Sequence, residues 1–435
     1  MNEKAIPRAR PKGSNERLSA EEKKQLVALK KKDGGKRQAL SAQRSIPYIE
    51  MYRDGICRVN SRLYTKSIRY EDINYQLAQN DEKTAIFENW CDFLNYFDHS
   101  VSVQLSFINQ KVDLAEFQKI IVIPPKNDDF DEIRTEYSDM LQEQLTKGNN
   151  GLVKRKYITF GIEADSIKLA KPKLERIELD IKSNFKRLGV QSFPLSGYER
   201  LKVLHDIFNM DTNEAFRFSE KCGVLSKRTS NQSSTIAKSD WQQNQLFFDM
   251  IARTGLSSKD FIAPTSFDFR EAKTFRMGNT YGAVSFVQIL APELSDELLT
   301  SILNIDDNIS VNLHIRTVDQ ARAIKEVKSK ITDLDAMKIQ EQKKAVRNGY
   351  DMEILPSDLT TFGTGTKKIL QDLQTLNERM FLVTVLIMHT AQTRQKLKSA
   401  VYQTESLLQQ HNCSLKRLDF QQEAGLMAPP HNPPS

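Results

Sequence analysis

From about residue 48 onward, polar and apolar residues alternate in short runs. Tyr48-Ile49-Glu50-Met51-Tyr52, then Asp54-Gly55, then Ile56-Cys57-Arg58-Val59 predicts a hairpin about a turn-forming Asp-Gly pair. Leu63 to Tyr70 predicts a further strand. Asp81 to Phe97 sets Ile86, Trp90, Phe93, Leu94 and Phe97 at helical spacing. Val101, Val103, Leu105 and Phe107 then alternate with Ser102, Gln104 and Ser106, the pattern of a strand with one wet face. The same unit returns later. Pro292 and Ser295 open a helix with Leu298, Leu299, Ile302 and Leu303, and a strand follows in which Ile309, Val311, Leu313 and Ile315 alternate with Ser310, Asn312, His314 and Arg316. A third unit reads strand–helix–strand: Met380 to Met388, Thr390 to His411, and Leu415 to Phe420. Its first strand lacks alternation, which predicts a central strand covered on both faces.

Two long helices stand apart, Ile167 to Leu188 and Asp319 to Arg347, each with a narrow apolar stripe among Lys, Glu and Asp. A narrow stripe fits a protruding hairpin or arm, and equally a helix packed on a sheet with a solvated back. The expected class is α+β: mostly antiparallel sheets with helices packed on one face, in split βαβ-like units, plus these two amphipathic helices. The polar stretch Lys227 to Lys238 divides the chain, so the expected organisation is an arm at 1–44, an α+β unit at 45–226, a loop at 227–240, a second α+β unit at 241–428 and a Pro-rich tail at 429–435. Phe362-Gly363-Thr364-Gly365-Thr366 predicts a break before the third unit.

The chain has 435 residues, 39% hydrophobic and 27% charged, which excludes collagen, low-complexity disorder and disulfide miniproteins. Its apolar run Met380 to Met388 is about half the roughly 18–20 residues that cross a bilayer. No signal-peptide core opens the sequence, and the expectation is a cytoplasmic protein with a peripheral membrane contact left open. The net charge of +7 is unevenly placed: Met1 to Arg44 holds 13 basic and 5 acidic residues, and the rest is nearly neutral. Within this arm Arg8, Arg10, Lys12, Lys30, Lys31, Lys32, Lys36 and Arg37 are candidate contacts to an anionic partner. Anionic lipid, DNA phosphate and a merely solubilising terminus all fit them. One amphipathic stretch, Ser19 to Lys32, carries a capping box of Ser19 and Glu22.

Chemistry is sparse. Cys57, Cys91, Cys222 and Cys413 are scattered and fit reduced thiols, and His411 with Cys413 makes no zinc set. Gly35-Lys36 and Gly363 to Lys368 both lack the glycine and lysine offsets of a phosphate-cradling loop. Asn127, Asp129 and Asp131 start like a calcium loop, but Glu132 stands where Gly is needed and Ser138 where Glu closes it, so the run reads as a helix N-terminus. No complete catalytic constellation is visible, and no metal or cofactor site is expected.

Four segments resemble the type IV secretion and conjugation ATPases of the TrbE/CagE kind, in their Gram-positive mobile-element branch. They are Arg37 to Ala78, Phe267 to Val287, Met380 to Leu397 and Cys413 to Ala428. The resemblance covers roughly Arg37 to Ala428 through several extended segments rather than one signature. It implies the family's N-terminal α+β domain, which precedes a RecA-like motor, and hexamer-forming assembly at the cytoplasmic face of a secretion channel. The implied partners are inner-membrane channel subunits, further copies of the chain or full-length relatives. ATP and Mg²⁺ belong to the motor, whose Walker residues have no counterpart here. The tail Pro429 to Ser435 departs from the family's continuation, and the expectation is a chain truncated before the motor.

Overall fold

The computed structural model describes residues 41–72, 79–111, 130–148, 152–210, 216, 240–290, 294, 297–347, 357–375 and 378–428. The chain divides into Met1–Ser41 and a compact unit that begins at Ala42. The arm, the Ser19 to Lys32 stretch, most of the polar loop and the tail lie outside the described residues.

In chain order the first half holds α1 (Ala42–Ser45), β1 (Glu50–Met51), β2 (Cys57–Arg58), β3 (Leu63–Tyr70), α2 (Asn80–Asn95), β4 (Val101–Lys111), α3 (Asp131–Gly148), β5 (Leu152–Glu163), α4 (Ile167–Arg187), β6 (Ser192–Pro194) and α5 (Gly197–Phe208). The second holds α6 (Asp240–Thr254), α7 (Lys259–Ile262), β7 (Phe267–Asp268), β8 (Phe275–Met277), β9 (Thr280–Ile289), α8 (Glu297–Leu303), β10 (Ile309–Thr317), α9 (Gln320–Arg347), α10 (Ser357–Thr375), β11 (Phe381–Ala391), α11 (Arg394–Gln410), β12 (Cys413–Arg417) and α12 (Gln422–Leu426). All described strands join one antiparallel sheet, β1-β2-β3-β5-β4-β10-β11-β9-β8-β7, with β6 on β3 and β12 on β9.

That order contains one motif twice. β3-α2-β4-β5-α4-β6 lays its strands down as β6-β3-β5-β4, and β9-α8-β10-β11-α11-β12 lays them down as β12-β9-β11-β10. Both are split βαβ units, the recurrence that the alternation predicted. They meet edge to edge where β4 pairs with β10. Leu105 faces Leu313 at this seam, and the flanking pairs Val103–Ile315 and Phe107–Val311 are those that a local two-fold axis through that point exchanges.

Alternation assigns the two faces. One carries Val103, Leu105, Ile158, Phe160 and Ile162 against Phe93 and Phe97 of the α2 region and Leu174, Ile177, Ile181 and Phe185 of α4. In the second half Ile309, Val311 and Ile387 pack on Leu298 and Ile302 of α8 and Leu397, Val401 and Leu408 of α11. The α+β class and antiparallel sheet stand as expected, but helices cover more than one face. Ile108, Tyr157, Val284, Leu386 and Met388 point the other way, toward Leu201 and Phe208 of α5, Phe247 and Phe248 of α6 and Phe261 of α7. Enough apolar residues alternate onto that face to hold a second layer.

The two long helices, alike in sequence, part company. α4 buries Ala170, Leu174, Ile177, Ile181 and Phe185 and is a core helix. Among its described residues α9 buries only Ala323 and Val327, and it packs at its base, with Val318, on Leu373 and Leu370 of α10. Two further expectations are corrected. Gly363 and Gly365 sit inside α10 with open space around each Cα, so the helix tolerates them instead of breaking. β11 is central only in its second half: β10 pairs along nearly all of it, but β9 pairs with it only from Leu386 onward, and the stretch before that, open on one edge, leaves Leu382 57% and Val383 48% exposed.

Candidate functional site

The seam opens into a cavity of about 220 Å³ on the face away from α4 and α11. Its floor is polar: Ser67, Thr159, Gln104, Ser106, Ser310, Asn312 and His314. Gln104, Ser106, Ser310, Asn312 and His314 among them are polar positions of the two alternating strands, expected on a wet face, and the structure roofs them instead. The roof is apolar, with Val203, Leu204, Ile207 and Phe208 of α5 and Leu426, Met427 and Ala428 after α12.

The floor groups bond one another across the seam. The Gln104 side-chain amide donates to Asn312 Oδ1 (3.0 Å) and Ser106 Oγ (3.1 Å), and Ser106 Oγ donates to Asn312 Oδ1 (2.7 Å). Asn312 Nδ2 donates to Ser310 Oγ at 3.2 Å. The local two-fold exchanges Gln104 with Asn312, and Ser106 with His314, so each half supplies matching positions. His314 is 3% exposed and its Nδ1 has no hydrogen-bond partner. Burial lowers its pKa from 6.5 to about 4, so the ring is neutral at pH 7.

Helix α5 is tied to the sheet at both ends. A capping box starts it: Glu199 N–H donates to Ser196 Oγ at 3.3 Å, and Ser196 N–H donates to the Glu199 carboxylate at 2.8 Å. Arg200 Nη1 donates to the carbonyls of Gly55 (2.7 Å) and Thr65 (2.8 Å), and Nη2 donates to Thr65 Oγ1 (3.1 Å). Farther along, Arg155 of β5 pairs with Asp206 at 2.7 Å. Burial opposes the Asp206 carboxylate, yet bonds from His205 and Arg155 hold its pKa below the usual range. The approach of α5 depends on two glycines. Gly55 has φ +79°, and a Cβ there would lie 2.0 Å from the Leu195 carbonyl oxygen; one on Gly197 would lie 2.2 Å from that of Tyr52.

Arg200 is the only charged side chain among the described lining residues. Burial pulls its pKa below the ordinary arginine value, and the groups opposing this are Cys57 and Tyr48, not a carboxylate. Cys57 is buried, and desolvation raises its thiol pKa, which suits an inert thiol rather than a nucleophile. The site thus offers one guanidinium, a neutral imidazole and a row of amides and hydroxyls, which is the chemistry of holding a ligand.

The eight arm cations, Arg8 to Arg37, lie outside the described residues, as do Cys222, Asn127 and Asp129. Asp131 and Glu132 occupy the first turn of α3, as expected, and Asp131 pairs with Arg134. Cys413 Sγ sits 3.5 Å from the His411 carbonyl. Among the described residues no cluster of three metal-ligating side chains is found, and no helix is long and apolar enough to cross a membrane. Sequence reading missed Arg200 and His314 as site residues. A signal existed for the floor: its polar positions are amides, hydroxyls and a histidine, where a solvated face usually carries Lys and Glu.

No protein-family model and no curated protein matches the chain.

Proposed function

We propose that this chain is an N-terminal docking and assembly module of a conjugative-transfer ATPase, of the type IV secretion kind, working through its surfaces at the cytoplasmic face of the channel. The observation that carries the reading is a pair of exposed helical inserts. In each half the connection between the second and third strands of the motif bears helices, α3 in the first and α9 with α10 in the second. Both display large apolar side chains. On α3 these are Ile133 (60% exposed), Tyr137 (50%) and Met140 (44%), spaced as one stripe. On α9, Ile339 and Val346 share a face at 52% and 56%. Singly exposed apolar residues need no explanation, but stripes on inserted helices suit contacts with protein.

The resemblance adds support. Its segments coincide with β1 to β3, β7 to β9, β11 with the start of α11, and β12 with α12. The partners are then inner-membrane channel subunits and other copies of the chain, and ATP with Mg²⁺ belongs to the family's motor. A second reading, contact with DNA or anionic lipid, rests on the +8 charge of Met1 to Arg44.

The test is transfer of a conjugative element whose copy of this chain carries Ile133→Asp, Tyr137→Asp and Met140→Asp, with folding checked by circular dichroism. Transfer should fall about tenfold or more. A folded variant that transfers normally would overturn the reading, and an arm deletion that alone abolishes transfer would favour the second.

A further inference from the structure

We propose that the seam cavity is a ligand site for a small carboxylate-bearing amphiphile, with Arg200 holding the carboxylate and the hydrocarbon body lying under the apolar roof of α5. The inference is independent of the docking reading.

Three observations carry it. First, Arg200 has donors to spare. Its Nη1 and one Nη2 hydrogen serve Gly55 and Thr65. No acceptor among the described residues takes its Nε–H or the second Nη2 hydrogen. Those two hydrogens form the parallel fork that grips a carboxylate with two bonds. Second, the described lining contains no Asp or Glu, so a half-buried cation stands without a counter-charge in the cavity. A charge drawn partly out of water without a partner is costly, and one monoanion offsets that cost. A phosphate dianion suits a single guanidinium less well. Third, Val203, Leu204 and Ile207 line the cavity beside Arg200 and offer apolar cover for a short hydrocarbon body.

Size and shape agree. Thr65 stands on β3 and His314 on β10, three strand spacings away, or roughly 14 Å across the sheet. An engineered cavity of about 150 Å³ accepts benzene, so the volume here suits roughly nine non-hydrogen atoms.

The experiment is isothermal titration calorimetry of the full chain at pH 7 with octanoate as probe, against 1-octanol and inorganic phosphate. Octanoate should bind tighter than about 1 mM, and at least tenfold tighter than either comparison compound. Arg200→Lys, which keeps the charge and loses the fork, should weaken it about tenfold or more. Val203→Phe fills the cavity without altering Arg200 and should abolish binding, so the proposal stays testable if the arginine variant fails to fold. Absence of octanoate binding to the natural chain would overturn the proposal. So would octanol or phosphate binding equally well, or octanoate affinity unchanged in Val203→Phe.

Discussion

The same strands build two very different surfaces. On the side of α2, α4, α8 and α11, the odd-numbered residues of β4 and β10 meet helix side chains with no described cavity between them: Val103, Leu105, Ile309 and Val311 are all at least 96% buried, and Phe185 and Leu174 above are wholly so. On the other side the even-numbered neighbours are Gln104, Ser106, Ser310, Asn312 and His314, and the roof stands off to leave a hollow. Stability is concentrated on the first face, where apolar area is removed from water and dispersion contacts are dense. The second face gives up some of that packing and keeps a hydrogen-bonded set of polar groups under cover.

The largest way to break this contrast is to hollow the closed face. Phe185→Ala on α4 removes a ring that touches Phe93 and Tyr70, at centroid distances of 5.0 and 5.2 Å. It should cost about 3–5 kcal/mol, read as a lowered urea midpoint at unchanged slope. Val203→Ala on the roof of the existing hollow should cost about 1 kcal/mol or less, since its neighbours are already incomplete. Equal losses would show that the cavity is as tightly packed as the core.

The closed face also holds an ion pair drawn largely out of water. Lys66 of β3 and Glu178 of α4 meet with side chains only 9% and 16% exposed. Removing one partner strands the other charge, so Glu178→Gln should cost about 3 kcal/mol. The double variant Lys66→Met, Glu178→Leu should recover most of it, because the site is otherwise apolar. A double variant as unstable as the single would locate the cost in lost packing instead.

How far the sequence showed all this depends on which face is considered. Helical spacing in Leu174, Ile177, Ile181 and Phe185 and alternation in Val103 and Leu105 named much of the closed face directly, because burying a stripe leaves a period. The antiparallel α+β class and the recurrence of the split βαβ unit followed from the same periods. Alternation could not say that Gln104, Asn312 and His314 are roofed, since a polar face pointing at water and one pointing into a cavity have the same period. It could not pair the two halves either: the Leu105–Leu313 match is a register between strands about two hundred residues apart. Arg200 was invisible for a related reason. On an amphipathic helix an arginine reads as solvated, and only the approach permitted by Gly55 and Gly197 brings it over β3. The long helices α4 and α9 show the limit most simply, since equal stripes became one core helix and one that stands off the sheet.

Acid separates the faces by a smaller amount. His389 on β11 is wholly buried and its pKa is pulled from 6.5 to about 4 by desolvation. The Thr404 hydroxyl donates to the Ala400 carbonyl at 3.1 Å, so at 2.7 Å it accepts from His389 Nε2–H, and the unprotonated Nδ1 is left without a donor. The unfolded chain therefore takes up a proton first as pH falls. The stability due to this histidine is whole above about 6.5, declines between 6.5 and 4, and levels off below. The full loss is about 3 kcal/mol for a shift of that size. His314 shifts in the same direction, and a cavity that admits water or ligand should soften its share. Urea midpoints from pH 7.5 to 4 should fall in the natural chain and fall less in His389→Gln than in His314→Gln. The reverse ranking would mean that the cavity is the drier of the two environments.

The finest test adds atoms instead of removing them. Leu105→Phe drives a larger side chain into a face where Ile158 and Phe160 are already fully buried, and overpacking of that kind costs about 1–3 kcal/mol. Ser106→Val, on the adjacent residue of the same strand, points into the hollow. It has room to enter, and it surrenders two hydrogen bonds, one to Asn312 and one from Gln104, each worth about 1 kcal/mol net, while gaining contact with the apolar roof. The two terms nearly cancel, so its melting temperature should stay within a few degrees of the natural chain. Octanoate affinity should nevertheless drop, because the added methyl groups occupy ligand volume. A chain that melts normally and binds less would show that the hollow serves recognition and that the closed face alone sustains the fold. If Ser106→Val destabilised as much as Leu105→Phe, the polar network would be structural, and the contrast between the faces would be one of chemistry without one of purpose.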